Sequence, residues 1–364
     1  MEVKFGLVGL PNVGKSTIFN VLTRLKIPAE NFPFCTIKPN IGKVPIFDSR
    51  LFKLSKIVLS DKVIPIIIEL VDIAGLVKNA HKGEGLGNQF LDHIKDTNVI
   101  LHVVRCFKND NVTHIYGKIE PIQDINVINL ELILADLEVC HNRLIKLKKI
   151  NLFDTNSKIK KEILMLKRFI DHLERNRSLR SLNLTTEDFF LVNHLRLITL
   201  KPMIYILNMN RESMFNNIYE KETINFIRGE CNAAVVKIFL DEMNDILQDN
   251  LLNKNTLFSK KNIINEKLNE IFLLGFHSLN LVTFFTAGSK EVRAWITTKN
   301  SFIYKSVKCI HSDFSRGFIR AQIISYCDFI KYGDKQSKKL GKMKTVGKKY
   351  FICDGDIVYV LYKV

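Results

Sequence analysis

The sequence predicts an α/β fold with a doubly wound, mostly parallel sheet, an inserted α-helical coiled-coil hairpin and a small C-terminal α+β domain. Three observations support this prediction. Short β-branched runs alternate with helical segments in residues 1–124 and 201–280. Two heptad patterns occur within residues 125–200, and residues 281–364 combine strand patterns with many aromatic residues and glycines. Strands separated by helices are typical of a parallel sheet covered on both faces.

The sheet domain is predicted from five apolar runs and one helix. The first run, Val3–Val8, leads directly into a glycine-rich loop and then into a helical pattern from Ser16 to Leu25. The other predicted strands are Val63–Val71, Val99–Val104, Pro202–Leu207 and Val235–Phe239. Pro65 stands near the start of its run, where a missing N–H donor does least harm. These runs predict one sheet domain divided between residues 1–124 and 201–280.

Residues 125–200 are predicted to form a helical arm inserted into that domain. Two apolar seams have alternating spacings of three and four residues, which indicates two antiparallel helices joined at a polar break around Asn151–Ser157. The first seam is Leu130, Ile133, Leu137, Cys140, Leu144 and Leu147, and the second is Ile159, Ile163, Leu166, Ile170 and Leu173. We interpret both seams as packing surfaces and not as ligand sites.

The C-terminal domain is predicted over residues 281–364, with aromatic residues as its core. These are Phe284, Phe285, Trp295, Phe302, Tyr304, Phe314, Phe318 and Tyr326. Composition places the whole chain among globular proteins, with 46% hydrophobic and 25% charged residues. No apolar run approaches the ~20 residues of a membrane span, so no membrane partner is expected. No sequence feature indicates an oligomeric state.

Seven cysteines are scattered along the chain without the paired spacing of a metal site. This usage is typical of reduced thiols, so a cytoplasmic location is expected.

Positive charge is concentrated near the C-terminus. The net charge is +17, and residues 281–364 hold 16 Lys and Arg against 6 Asp and Glu, which is +10. Eight lysines and a single acid, Asp334, fall within Lys331–Lys349. Such a region predicts an anionic partner, with nucleic acid the natural candidate. The alternative explanation of this charge is a compositional bias without a binding role, since the whole chain is rich in Lys, Asn and Ile.

The loop after the first predicted strand fits the phosphate-binding pattern G-x-x-x-x-G-K-[ST]. Gly9, Gly14, Lys15 and Ser16 fill its fixed positions within the run GLPNVGKST. Glycines let backbone N–H groups turn towards phosphate oxygens, and the following helix adds its positive end. The residues predicted to contact nucleotide in this loop are Asn12, Val13, Gly14, Lys15, Ser16 and Thr17.

A second motif, DIAG, supplies the magnesium side of the predicted site. Asp72 ends an apolar strand and Gly75 follows it. We expect Ser16 and Asp72 to hold Mg²⁺, with Thr36 as a further ligand, and the Gly75 N–H to contact the γ-phosphate. Lys15 would neutralise charge on the β- and γ-phosphates during catalysis. These features predict a P-loop nucleoside triphosphatase.

The attacking water requires a group that the DIAG motif does not provide. Many GTPases place a glutamine after this motif, but Leu76 occupies the position and cannot hydrogen-bond. His114, in the polar loop after Val99–Val104, is the best candidate because an imidazole can orient or deprotonate water. A loop histidine that is merely solvated is the alternative.

The chain resembles the YchF/Obg-like ATPase family of translation-associated P-loop enzymes. The segments that carry the resemblance are GLPNVGKST, NFPFCTIKPN, DIAGLVKNAHKGEGLGNQFL, HVVRCFKND, FFTAGSKEVRAW and IHSDFSRGFIRA. The resemblance implies a split nucleotide-binding domain, a helical arm and a C-terminal TGS domain. It also implies that His114 acts in catalysis, that Asn12 helps place K⁺ beside the phosphates, and that ribosomal RNA and ribosomal proteins are partners.

Base recognition departs from the family pattern. Ordinary GTPases use N-K-x-D, whose carboxylate accepts hydrogen bonds from guanine, whereas the family resembled here carries N-x-x-E and favours ATP. This chain has Asn208, Met209, Asn210 and Arg211, with Glu212 one place late. Asn208 and Met209 are still expected to contact the nucleotide, and ATP is expected to bind better than GTP.

Three functions are compatible with these motifs. The first is a ribosome-associated ATPase with a Mg²⁺-dependent cycle linked to translation. The second is a GTP-binding switch, against which the absence of N-K-x-D argues. The third is an RNA-binding adaptor with a weak nucleotide site, against which the joint presence of Lys15, Ser16, Thr36 and Asp72 argues.

Overall fold

The computed structural model describes residues 2–24, 41–73, 86–108, 114, 117–151, 157–210, 218–231, 233–240 and 269–363. Within these ranges, no helix combines the length and the apolar character needed to cross a bilayer.

Two six-stranded sheets organise the fold. The first has the order β2-β4-β1-β5-β6-β7. Its strands are β1 (Lys4–Val8), β2 (Ile41–Ile46), β4 (Ile66–Asp72), β5 (Val99–Arg105), β6 (Met203–Met209) and β7 (Ala234–Phe239). All neighbours pair in parallel except β2, which runs antiparallel to β4. The predicted mostly parallel sheet is confirmed, with the unpredicted β2 at its edge.

Seven helices are described in the sheet domain and the helical arm. They are α1 (Lys15–Arg24), α2 (Ser49–Val58), α3 (Leu86–Lys95), α4 (Pro121–Asn151), α5 (Ser157–Glu174), α6 (Thr186–Val192) and α7 (Ile218–Cys231). Short 3₁₀ turns cover Leu179–Ser181, Asn193–Leu195, Ile198–Leu200 and Val307–Cys309.

The predicted strand Val63–Val71 proves to be two strands in different sheets. Lys62–Ile64 forms β3 and pairs in parallel with β9 (Glu291–Thr298) of the C-terminal sheet, whereas β4 belongs to the first sheet. Pro65 separates them. Since proline lacks an N–H donor, it suits the point where the chain leaves one sheet for the other. The interpretation of Pro65 as a tolerated residue near the start of one strand was therefore wrong.

The helical arm is built on α4 and α5, which pack together. Ile133, Cys140, Leu144, Leu147 and Leu166 are buried in a hydrophobic cluster separate from that of the sheet domain. Leu130 departs from the predicted seam and is 42% exposed. The reason is that the first turns of α4 pack on the sheet domain through Ile125, Ile128 and Leu132, so the side of the helix facing the core differs there. The predicted boundary after residue 124 thus falls inside α4.

The second sheet has the order β11-β10-β12-β8-β9-β3. Its remaining strands are β8 (Leu281–Ala287), β10 (Phe318–Ser325), β11 (Lys344–Val346) and β12 (Asp356–Tyr362). Helical segments cover Ile303–Ser306, Ser312–Arg316 and Tyr326–Lys339, the last interrupted at Gly333, where φ is 67°. This is the predicted α+β arrangement, extended by a strand from the N-terminal part of the chain.

Neighbouring aromatic residues in β8 belong to two different cores. Phe284 packs into a small cluster with Phe318 and Val358, whereas Phe285 belongs to the large cluster that also contains the core of the first sheet. Successive side chains of a strand point to opposite faces, which explains the division. The C-terminal domain therefore shares a continuous core with the sheet domain, in addition to having its own.

Candidate functional site

The glycine-rich loop lies between β1 and α1, at the carboxyl edge of the first sheet. A Cβ on Gly9 would stand 2.5 Å from the Val103 carbonyl oxygen, and Gly14 has φ 101°. A Cβ on Gly14 would also stand 2.7 Å from Asn208 Nδ2. Only glycine fits such close approach and such backbone angles. The motif glycines are thus required by the geometry of the loop itself.

Lys15 is held inside the loop that it follows. Its side-chain Nζ donates to the carbonyl oxygens of Gly9, at 3.0 Å, and Leu10, at 2.6 Å. Burial lowers the pKa of Lys15 to about 8, against the opposing attraction of the Asp72 carboxylate. The ammonium is therefore a poorly hydrated cation, for which a phosphate would be a favourable partner.

Ser16 and Asp72 come together although 56 residues separate them. The Ser16 hydroxyl donates to Asp72 Oδ2 at 3.0 Å. β1 and β4 pair in register with Leu7 opposite Asp72, which brings the end of β4 to the start of the loop. Burial raises the pKa of Asp72, while the Ser16 hydroxyl and the charge of Lys15 lower it. Two oxygen donors side by side suit a hard cation such as Mg²⁺. Thr36 and Gly75, the other predicted contacts, lie outside the described residues.

Asn208, on β6, holds the glycine-rich loop by a side-chain hydrogen bond. Its side-chain amide donates to the Val13 carbonyl oxygen at 2.9 Å, and only 3% of the residue is exposed. Met209 is buried in the core of the sheet domain. The predicted contact of Asn208 and Met209 with the nucleotide base remains a prediction, and Arg211 and Glu212 lie outside the described residues. The loop-fastening role of Asn208 was missed, because the sequence gives no sign of a contact between positions so far apart.

The ring of His114 is buried beside a carboxylate. Its Nε2 lies 3.0 Å from Asp124 Oδ2, and the two side chains are only 6% and 4% exposed. Asp124 stands in the first turn of α4. The alternative of a solvated loop histidine does not describe this ring. Asp124 was not among the predicted residues, since its only signal is an acidic residue in the first turn of a helix.

Of the predicted loop residues, Asn12 and Thr17 are also described. Asn12 has φ 63°, in the left-handed region that asparagine tolerates better than most residues. Thr17 lies in the first turn of α1.

The eight lysines within Lys331–Lys349 are all exposed.

Comparisons with known proteins agree at both ends of the chain. Residues 4–135 match a family model described as 50S ribosome-binding GTPase. Residues 281–363 match the C-terminal model of the YchF GTPases, which is described as a protein of unknown function.

Two full-length relatives carry the name ribosome-binding ATPase YchF. The protein of Buchnera aphidicola subsp. Baizongia pistaciae is 58% identical, and that of Escherichia coli O157:H7 is 44% identical, each over 365 residues with both chains fully covered. A solved structure of the Schizosaccharomyces pombe YchF GTPase superposes with a TM-score of 0.87 at 29% identity, covering 99% of this chain and 98% of that one.

Proposed function

The chain belongs to the YchF family, and from that premise we propose that it is a ribosome-associated ATPase whose Mg²⁺-dependent cycle is linked to translation. It is a P-loop nucleoside triphosphatase. The observation that carries the proposal is the convergence of Lys15, Ser16 and Asp72 at one edge of the sheet. An adaptor with a vestigial site would have no need of this arrangement.

Each residue of this group has a proposed task. Lys15 binds the β- and γ-phosphates once its ammonium leaves the carbonyl oxygens of its own loop. Ser16 and Asp72 hold Mg²⁺, with Thr36 as a further ligand, and the Gly75 N–H contacts the γ-phosphate. Bound Mg²⁺ would supply positive charge where negative charge develops on the phosphate oxygens. K⁺ beside Asn12 is a further proposal, based on family resemblance.

His114 is proposed to act on the attacking water, in place of the glutamine that Leu76 replaces. Support comes from its burial and from the Asp124 carboxylate that holds the ring. A histidine fixed in this way can orient or deprotonate water, which a hydrophobic side chain cannot.

ATP is proposed as the preferred substrate. The names of relatives differ, since the bacterial proteins are named ATPases and the fission yeast protein a GTPase. The absence of N-K-x-D favours ATP, because that motif supplies the carboxylate that reads guanine. A GTP-binding switch is the second candidate, favoured by the match of residues 4–135 to a GTPase model.

We propose ribosomal RNA and ribosomal proteins as partners, and the cytoplasm as the location that follows. The proposal rests on the bacterial relatives, named ribosome-binding, and on the exposed lysines of the C-terminal region. The proposed division of the chain is a nucleotide-binding domain (residues 1–124 and 201–280), an arm (125–200) and a TGS domain (281–364).

The test compares hydrolysis by the unmodified chain, Lys15→Ala and Lys53→Ala. Lys53 is an exposed residue on α2 and serves as the matched control. We expect Mg²⁺-dependent turnover that Lys15→Ala lowers by about 10²-fold or more, because a cation is removed from the developing charge. Lys53→Ala should behave as the unmodified chain.

ATP and GTP are then titrated separately on the unmodified chain. Tighter binding of GTP would move the function to the switch. Full turnover in Lys15→Ala would refute the assignment of the catalytic centre.

A further inference from the structure

We propose that Asp124 is a positioning residue for hydrolysis, which fixes the orientation and the tautomer of the His114 ring. The proposal rests on the proposed catalytic role of His114 and names the group on which that role depends. Asp124 is not itself proposed to touch the nucleotide or the water.

The first support is the way the chain holds both partners. The Gly117 N–H donates to the His114 carbonyl oxygen at 3.0 Å. Gly117 has φ 69°, a conformation that glycine adopts readily. Asp124 follows in the first turn of α4, whose backbone is fixed by the packing of Ile125 and Ile128 in the core. The 3.0 Å contact therefore joins the His114 ring to a carboxylate on a helix whose first turns are packed in the core.

The second support is the chemistry of the contact. An ionised carboxylate only accepts hydrogen bonds, so His114 Nε2 must carry the proton that it donates to Asp124 Oδ2. In the neutral ring, the basic lone pair then resides on Nδ1. A ring that acts on water has to present one particular nitrogen, and a buried carboxylate on the other nitrogen is the usual means of selecting it.

The third support is the energetic cost of Asp124. Its Oδ1 is buried and has no hydrogen-bond partner within the described ranges. Burial raises the pKa of Asp124, against the opposing effects of His114 and Arg105. A half-satisfied buried carboxylate stabilises a fold poorly, and an apolar residue would often serve better. Groups of this kind are concentrated at functional sites.

The experiment is a double-mutant cycle with ATP hydrolysis as the readout. The variants are Asp124→Asn, His114→Ala and their combination. Asn is nearly isosteric with Asp, but its amide can donate to Nε2 and so loses the selection of tautomer. We expect Asp124→Asn to lower kcat by about 10- to 100-fold, part of the ~10²- to 10⁴-fold that a positioned acid–base group contributes. KM should change by less than about twofold, because ground-state binding is untouched.

The combination should be no slower than His114→Ala alone, since Asp124 acts only through the ring. Asp124→Glu, which keeps a carboxylate, should recover part of the lost turnover. Glu138→Gln is the control, because Glu138 is an exposed carboxylate further along α4. Thermal melting checks that each variant is folded.

The tautomer of His114 can also be measured by spectroscopy on the unmodified chain, so this test does not depend on whether a variant folds. ¹⁵N-histidine spectra, with His114 identified by its disappearance in His114→Ala, should show a protonated Nε2 and a basic Nδ1 in the neutral ring. The opposite tautomer would overturn the proposal, as would additive losses in the cycle. If His114→Ala leaves turnover unchanged, the proposed function of His114 fails. If only Asp124→Asn is without effect, the positioning role fails while the function of His114 stands.

Discussion

His102 illustrates how burial sets the charge of a single side chain near the nucleotide loop. It lies in β5 with 1% exposure, and its ring centroid is 5.1 Å from that of Tyr205. Burial, followed by the charges of Arg180 and Lys15, lowers the pKa of His102 to about 3. The imidazole is therefore neutral at physiological pH, and protonation would place an uncompensated cation inside the sheet.

The free energy of unfolding should consequently fall on mild acidification. The unfolded chain takes up a proton at His102 near pH 6.5, whereas the folded chain does not until about pH 3. Stability from this residue is therefore complete above pH 6.5 and is lost as the pH falls below it, by up to about 1.4 kcal/mol per pH unit. Denaturant titrations at pH 7, 6 and 5, chosen at roughly one-unit steps to span this window, would measure the slope.

The matched variants are His102→Gln, which cannot titrate, and His277→Gln, which alters an exposed histidine. We expect His102→Gln to flatten the slope between pH 6 and 5 by about 1 kcal/mol per unit. An unchanged slope would mean that the folded state accommodates the charged ring.

Sequence reasoning identified those parts of the site that depend on local spacing. Gly9, Gly14, Lys15 and Ser16 stand within eight positions of one another, and the strand-loop-helix pattern fixes their relative placement. Asp124 could not be found in this way. A first-turn acid is common on helices, and only the fold shows that a histidine ring faces it. The same holds for Asn208, whose partner Val13 lies on a different strand-loop unit.

At the scale of elements, the fully buried strands of the first sheet were predicted, whereas its edge strand β2 and the separation of β3 from β4 were missed. Every residue of β5 and β6 is buried, so apolar runs gave their positions. β2 alternates, and includes Pro45, which weakens the signal. The division of β3 from β4 at Pro65 depends on pairing with β9, some 230 residues further on. A pattern confined to one segment contains no information on such a partner.

The link between the two sheets is strengthened by Arg50 on α2. Its Nη1 lies 2.5 Å from Asp354 Oδ2, and its guanidinium carbon lies 5.1 Å from the centroid of the Phe285 ring. Asp354 also accepts from the Thr283 N–H at 2.9 Å. Together with β3 and the shared core, this contact ties the C-terminal sheet to the nucleotide domain.

We therefore expect the nucleotide domain and the C-terminal sheet to unfold together. Trp295 is the single tryptophan and lies in β9, so its fluorescence reports on the C-terminal sheet. Binding of a fluorescent nucleotide reports on the other domain. Arg50→Gln should move both transitions to lower urea by the equivalent of about 2 kcal/mol, the typical worth of hydrogen bonds to charged groups.

Arg320→Gln, at an exposed position on β10, is the control for that change. Separate transitions, or a shift confined to Trp295, would show that the two domains are energetically independent.

At the scale of the whole molecule, the candidate nucleotide site and most of the net positive charge belong to different domains. The nucleotide site lies at the edge of one sheet, while +10 of the +17 net charge belongs to residues 281–364. One face of the C-terminal sheet packs in the large core that it shares with the nucleotide domain. Its lysines are exposed, and several flank the edge strand β11 (Lys344–Val346). The C-terminal sheet is thus packed against the nucleotide domain on one side, while its lysines stay exposed.

The exposed lysines should bind ribosomal RNA through phosphates, and this is testable in the full-length chain. Truncation before residue 281 would remove the C-terminal residues of the shared core, so charge substitutions are the better probe. The test variant changes four exposed lysines to glutamine, namely Lys338, Lys339, Lys348 and Lys349. The control removes the same charge from four exposed lysines of the nucleotide domain, namely Lys43, Lys53, Lys56 and Lys221.

Cosedimentation with ribosomes between about 50 and 200 mM salt separates specific docking from a merely basic composition. Each phosphate contact contributes ~0.7 to 0.9 to the slope of log K against log salt, because a bound lysine releases condensed counterions. If all four test lysines contact phosphates, their removal should reduce the slope by about three. ATP binding should be unchanged, since none of these lysines is among the residues proposed to contact the nucleotide. If the test and control variants lose affinity equally, the effect follows from net charge alone. If neither loses affinity, the ribosome is held by another surface, for which the helical arm is the next candidate.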